Sequence, residues 1–191
     1  MSEIVREYHL RPIEERDLRL LLDWRNSPKV HDMMLTDHEI TWEEHYAWFQ
    51  RMEAEPIKRN FVFTYQGKSI GYIGYTEYDE DCRTCSPGAY LGGVSNLPPD
   101  AALCLFYVSV DYAFQYMDML QLNTDVFADN RRAIKLDTFL GYDIDHTQDH
   151  QVKKKGEEKL AYRLIMTKDK WLKQKENVAK YFSFFKNFVY V

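Results

Sequence analysis

Asn130-Arg131-Arg132-Ala133-Ile134-Lys135-Leu136-Asp137-Thr138-Phe139-Leu140-Gly141-Tyr142 is the stretch on which the fold turns. Asn130, or Asp129 before it, is a helix N-cap, because its side chain can accept from an unsatisfied first-turn N–H. Gly141 ends the helix after Leu140, as glycine tolerates the left-handed backbone of a helix terminus. Residues 122–127, rich in strand formers, precede this helix, and 142–145 follow as a short extended piece. The core of the chain is therefore a strand–helix–strand unit.

Working outward toward the N-terminus, residues 100–117 carry Leu103, Phe106, Tyr107, Val110 and Phe114 along one helical side. A loop over 95–99 and a short strand over 89–94, ending in Gly92-Gly93, lead into it. Residues 82–87 read as a polar connection. Residues 61–65 and 69–78 flank Gln66-Gly67 as a hairpin. Thr41 and Glu44 form a capping box for a helix through Met52. Residues 14–25 form a short amphipathic helix, ended by Asn26-Ser27-Pro28, and residues 3–11, with Ile4, Tyr8 and Leu10, read as a first strand. Toward the C-terminus, 146–158 is polar and reads as a hairpin loop with a solvated Lys153-Lys154-Lys155-Gly156 tip, before a strand over 160–166. The order implies an α/β (α+β) fold, a mixed sheet with helices on both faces.

Composition narrows the function. The chain has 191 residues, 45% hydrophobic and 29% charged, with a formal net charge of −5. That supports a globular core and argues against a basic nucleic-acid-binding surface. No apolar run reaches the length of a membrane span and no signal peptide is read, so a cytoplasmic protein is expected. Three cysteines are too few for a disulfide framework. Cys82-x-x-Cys85 has zinc-like spacing but no second pair, so no metal is expected. Aromatics reach 15%, suited to a ligand with rings.

Leu10-Arg11-Pro12 ahead of a helix, together with the Asn130…Ala133…Leu140-Gly141-Tyr142 segment, resembles the GNAT N-acyltransferase superfamily, with Tyr142 where Phe is usual. Trp24-Arg25-Asn26-Ser27-Pro28, Met33-Met34 and Ile40-Thr41-Trp42-Glu43-Glu44-His45-x-x-Trp48-Phe49 resemble its sugar-nucleotide branch, including the altrosamine N-acetyltransferases of pseudaminic acid synthesis. The resemblance covers residues 8–167. It implies a GNAT domain over 1–167 with a mostly antiparallel central sheet. It also implies acyl-CoA as co-substrate, and a dTDP- or UDP-linked amino-deoxysugar as the amine acceptor. Acetyl-CoA or a larger donor such as hydroxybutyryl-CoA would supply the acyl group. A protein N-terminal or small-amine acetyltransferase, or a degenerate binding module, are the competing readings.

Three jobs follow from attack of an amine on a thioester: deprotonating the amine, stabilising the oxyanion and protonating the leaving sulfur. The resemblance assigns Asp125, among apolar strand neighbours, as the base. Glu77 and Asp79 are alternative bases. Asp137 stands where the family has a Tyr acid, and an aspartate donates near neutrality only when burial raises its pKa. Ser86 replaces a Glu common on the fourth strand. Tyr90, Leu91, Gly93, Ala101, Ala102, Leu103 and Asn130 would hold CoA. The turn lacks the usual glycines, and Asp100 is expected to cap the following helix. Arg25, Met34, His45 and Trp48 would contact the sugar nucleotide, Arg25 as a bidentate phosphate donor.

His146 and His150 fall in the polar segment expected to be a loop. Residues 168–191 form a separate aromatic and basic extension, with Tyr181, Phe184, Phe185 and Phe188 on one helical stripe. It packs on its own domain or on a partner subunit, as in a homodimer. Membrane-surface binding is the second reading.

Overall fold

A computed structural model of the chain describes residues 8–55 and 57–182. Seven strands form one sheet: β1 (Tyr8–Pro12), β2 (Asn60–Tyr65), β3 (Lys68–Asp79), β4 (Thr84–Leu91), β5 (Gln121–Phe127), β6 (Asp143–Lys154) and β7 (Glu157–Thr167). The helices are α1 (Leu18–Asn26), α2 (Pro28–His31), α3 (Trp42–Glu53), α4 (Ala101–Gln115), α5 (Arg131–Leu140) and α6 (Lys168–Ala179). The spatial strand order is β1-β2-β3-β4-β5-β7-β6. Every neighbouring pair is antiparallel except β4 and β5.

That one parallel pair is short. Thr84 pairs with Gln121 and Cys85 with Leu122, and there the ladder stops. Beyond it the two strands part. Pro87 has no N–H to give a ladder, and it sits two residues past the last pair, where one side of β4 has no ladder to lose. β5 instead pairs along its whole length with β7, from Gln121↔Thr167 to Phe127↔Ala161.

One sheet face is covered by α4, α5 and α6 over a large core that includes Ile73, Cys85, Leu105, Val108, Phe114, Leu122, Leu140 and Trp171. The other carries α1 and α3 over a smaller core of Ile13, Leu18, Leu21, Trp24, Phe49, Met52 and Val62. The strand–helix–strand unit forms as its sequence indicates. Asn130 accepts from the Ala133 N–H at 3.3 Å, and Gly141 closes α5 at φ 112°. The Thr41–Glu44 capping box is also present.

Four local expectations are corrected. The first helix starts at Leu18, after a 3-10 turn over Glu15–Asp17. Asp17 there is bound twice by Arg11, at 2.6 and 2.7 Å. Residues 84–87 are strand, not connection, because β3 supplies a ladder that the polar composition did not reveal. Residues 146–158 are not a loop but most of β6 and the start of β7. β6 is an edge strand, largely exposed, so no apolar alternation marked it. The tip is not wholly solvated either. Lys154 is 2% exposed and donates to the Thr36 carbonyl, while Lys155 N–H donates to Asp37 and its ammonium pairs with Asp32 at 2.7 Å.

Of the C-terminal extension, α6 joins the large core through Trp171 and Val178. Tyr181 is exposed beside Phe139. Ile4, at the start of the expected first strand, and Phe184, Phe185 and Phe188 lie outside the described residues.

Candidate active site

The parting of β4 and β5 places different chemistry on its two sides. Side chains alternate across a sheet. Cys85, Leu122 and Val126 belong to the large core under α4–α6. Ser86 and Asp125, each one residue off that register, face the opposite side.

Asp125 on β5 is held from β7. Arg163 Nη2 donates to Oδ2 at 3.0 Å, and Arg163 Nε lies 2.8 Å from Oδ1 as an ion pair without hydrogen-bond alignment. His150 Nε2 of β6 stands 4.0 Å from Oδ2. Burial pushes the Asp125 carboxyl above the usual range. Arg163 and His150 pull it down, and Glu77 adds to the rise. Asp125 and Glu77 are therefore brought into one electrostatic neighbourhood. Glu77 sits at a break in the β3–β4 ladder with φ 48°, and Ser86 Oγ donates to it at 2.7 Å. Asp79 is exposed and engaged in a turn, accepting from the Cys82 N–H at 2.8 Å, which lowers its pKa. It is not brought to this cluster.

Asp137 approaches from the other face. It is 4% exposed on α5, and burial raises its carboxyl pKa to about 7. Tyr142 is buried near it, and its own pKa is driven up by burial and by the Asp137 charge. Cys85 is buried with its thiol pushed to about 12, while Cys82 is exposed.

At the far end of the parting, Tyr90 and Leu91 close β4 and Gly93 follows. A Cβ on Gly92 would come within 2.2 Å of the Trp24 indole, so the chain must be bare there for α1 to pack. Ala101, Ala102 and Leu103 open α4. Asp100 holds the cap position, but its side chain does not accept from a helix N–H. It accepts instead from the Tyr8 hydroxyl at 3.0 Å. The expectation of an Asp100 cap is thus corrected: a partner from β1, 92 residues away, draws the carboxylate off the helix axis. The Ala101 N–H donates to the Pro98 carbonyl at 3.0 Å, while the Ala102 and Leu103 amides are left free of the carboxylate and, with the helix dipole, fit a pyrophosphate.

A third group lies on the α1–α3 face. Tyr72 and Tyr90 stack at 5.1 Å, Trp48 meets Tyr72 edge-on at 6.4 Å, and His45 stacks on Trp48 at 5.0 Å. Arg25, at the end of α1, reaches the two tyrosines, and burial lowers its pKa. Among the described residues its Nη1 is buried without a hydrogen-bond partner, as is His45 Nε2. Burial also lowers the His45 pKa, against a hydrogen bond with the Leu18 backbone. Lys154 shares this electrostatic neighbourhood; burial lowers its pKa, and Arg25 adds to that while Asp37 opposes it. Met34 is half-buried on the segment after α2, its N–H donating to the His31 carbonyl. Sequence reasoning missed Arg163 and Lys154. Only the strand alternation of 160–166 hinted that Arg163 shares a face with a neighbouring strand.

The acetyltransferase (GNAT) domain model matches residues 8–143. Acetyltransferase PseH of Campylobacter jejuni subsp. jejuni serotype O:23/36 (strain 81-176) is 27% identical over 128 residues, 65% of this chain and 75% of that protein. PseH of the O:2 strain NCTC 11168 is 28% identical over the same length and the same shares. Spermidine N-acetyltransferase from Vibrio cholerae, solved in complex with CoA and spermine, superposes with a TM-score of 0.79. It is 18% identical, and the match covers 86% of this chain and 98% of that one. At that identity the likeness speaks for the fold. With the family match spanning most of the described residues and the β4–β5 parting in place, the chain belongs to the GNAT acetyltransferases and uses acetyl-CoA.

Proposed function

We propose that the protein transfers an acyl group from acyl-CoA to the amine of a nucleotide-linked amino-deoxysugar, dTDP- or UDP-activated. The observation that carries this reading is Arg25: a half-buried guanidinium whose Nη1 is buried with no hydrogen-bond partner among the described residues, no carboxylate among its influences, and stacked tyrosines beside it. A buried cation without a counter-charge is costly, and an anionic ligand completes it. Tyr72, Tyr90 and Trp48 offer flat surfaces for a base or sugar. The likeness to PseH supports the same class. A polyamine substrate would instead bring positive charge toward Arg25 and Lys154.

Bound acetyl-CoA supplies the electrophilic thioester carbonyl. Tyr90, Leu91, Gly93, Asn130 and the first turn of α4 (Ala101, Ala102, Leu103) hold it, with the α4 amides on its pyrophosphate. Asp125, on the α1–α3 face, takes a proton from the substrate amine, with Glu77 beside it. Asp137, poised by burial near neutrality, gives a proton to the departing sulfur from the opposite face. Arg25, His45, Trp48 and Met34 hold the sugar nucleotide.

Thiol release from acetyl-CoA and hydroxybutyryl-CoA, measured across dTDP- and UDP-amino sugars with spermidine alongside, tests the reading. Turnover with a nucleotide sugar and none with spermidine is expected. Turnover with spermidine alone would overturn it, and a strong acetyl preference would remove the larger donor.

A further inference from the structure

The β6–β7 ladder breaks between Asp145 and His150. Asp145 pairs with Arg163 and His150 with Ala161, so four residues of β6 stand against Tyr162 alone. A regular antiparallel ladder running on from Asp145↔Arg163 would put Thr147 opposite Ala161. The bulge puts His150 there. Bulges re-aim side chains in this way beside functional sites.

Ala161 and Arg163 are two apart on β7, so they share a face, and Arg163 is the partner of Asp125. His150 therefore looks across the small side chain of Ala161 toward Asp125. Its Nε2 lies 4.0 Å from Oδ2, while its Nδ1 lies 3.3 Å from the Gln148 carbonyl. A carbonyl only accepts, so Nδ1 carries the hydrogen and Nε2 turns its lone pair to the carboxylate. At 4.0 Å the two atoms are spaced for one bridging water, across which a proton can pass.

The charged groups around the pair set the direction of that proton. Arg163 from β7 binds both Asp125 oxygens and favours the ionised carboxylate. Glu77 from β3 works against it. On β6 itself, His146 is paired with Asp149 at 2.9 Å, and Asp145 accepts from Thr147 and Gln148. The His150 side chain is 41% exposed, against 11% for Asp125. It stands on the solvent side of the half-buried acid.

We infer that His150 is a relay: it takes from Asp125 the proton that the substrate amine has given up, and passes it to water. The N–H bond of the amine breaks and an O–H bond forms on Asp125. That bond breaks as the bridging water accepts the proton and gives one of its own to Nε2, and Arg163 keeps its proton throughout. This rests on Asp125 being the base.

The test is steady-state kinetics of His150→Ala, His150→Gln and Asp125→Asn in the full chain, with thermal melts to confirm folding. A drop of about 10- to 100-fold in kcat is expected for both His150 variants, as a fraction of a full acid–base contribution. KM for both substrates stays unchanged. Added imidazole restores His150→Ala, and more basic methylimidazoles restore it further. A wild-type kcat in His150→Ala, or a loss in a folded variant that no imidazole recovers, overturns the relay. Full activity in Asp125→Asn overturns the base assignment and the relay with it. Loss in Asp125→Asn alongside an unaffected His150→Ala overturns the relay alone.

Discussion

On the α4–α6 face, Trp171 is fully buried, its indole N–H donates to Asp111 at 2.8 Å, and Lys175 pairs with the same carboxylate at 3.2 Å. On the α1–α3 face, Arg25 is half-buried and His45 buried, each with a buried nitrogen that has no partner among the described residues. Both faces enclose polar groups under helices. One closes its hydrogen bonds internally, and the other leaves them open. An unsatisfied buried polar group costs about 1–3 kcal/mol, so a fold retains it where a ligand completes it. On the proposed function the open face holds the acceptor, and the closed face is scaffold apart from Asp137 and the first turn of α4. Asp137 is a buried carboxylate on the closed face whose pKa burial alone lifts to about 7.

The largest break in this comparison should come from Trp171→Ala. The variant removes a fully buried aromatic that packs on Tyr107 at 5.0 Å and takes a donor from Asp111. A loss of about 3–5 kcal/mol in denaturant unfolding is expected, with KM for the amine substrate unchanged. A stable variant with a raised amine KM would place α6 in the site instead of the scaffold.

How much of this the sequence discloses differs by element. The strand–helix–strand unit around α5 is legible, because Asn130 and Gly141 mark the helix ends and apolar periodicity fills it. Trp171 is not, because one aromatic in a lysine-rich segment gains its meaning from Asp111 and Tyr107 on α4. β6 is not, because an exposed edge strand needs no apolar side. Arg25, His45 and Trp48 are singled out by the resemblance to the sugar-nucleotide branch, and α1 and α3 bring them to one face of the sheet. Lys154 escapes notice, because its partner Thr36 lies 118 residues away. Asp100 misleads for the same reason: cap chemistry is local, and Tyr8 is not.

Asp137→Asn sharpens the comparison by pH. The folded chain holds this proton up to about 7, while an unfolded aspartate releases it near 3.9. Between those values the folded state binds more protons, so stability falls as pH rises from about 4 to 7 and is level above. The shift corresponds to up to about 4 kcal/mol. Asp137→Asn should remove that slope in chemical unfolding across this range and be the more stable form at pH 8. Its kcat should fall less than that of Asp125→Asn, because a thiolate leaves without an acid more readily than an amine attacks without a base. An unchanged slope would mean that the carboxylate is ionised and solvated in the folded chain.

Arg25→Met has the smallest expected effect and separates the two faces most cleanly. On the closed face, removing a buried polar side chain strands its partner. On the open face, the Arg25 Nη1 has no partner to strand, and a methionine of similar reach relieves the burial that lowers its pKa. Stability should therefore hold or rise slightly, while KM for the sugar nucleotide rises about 10- to 100-fold, the equivalent of one charged hydrogen bond. KM for acetyl-CoA should move less, because Asn130 and the first turn of α4 hold it without Arg25, which touches that site only through Tyr90. Initial rates at varied concentration of each substrate read this directly. If stability fell and both KM values held, the guanidinium would be scaffold, and the open face would owe its orphaned nitrogens to packing instead of to a ligand.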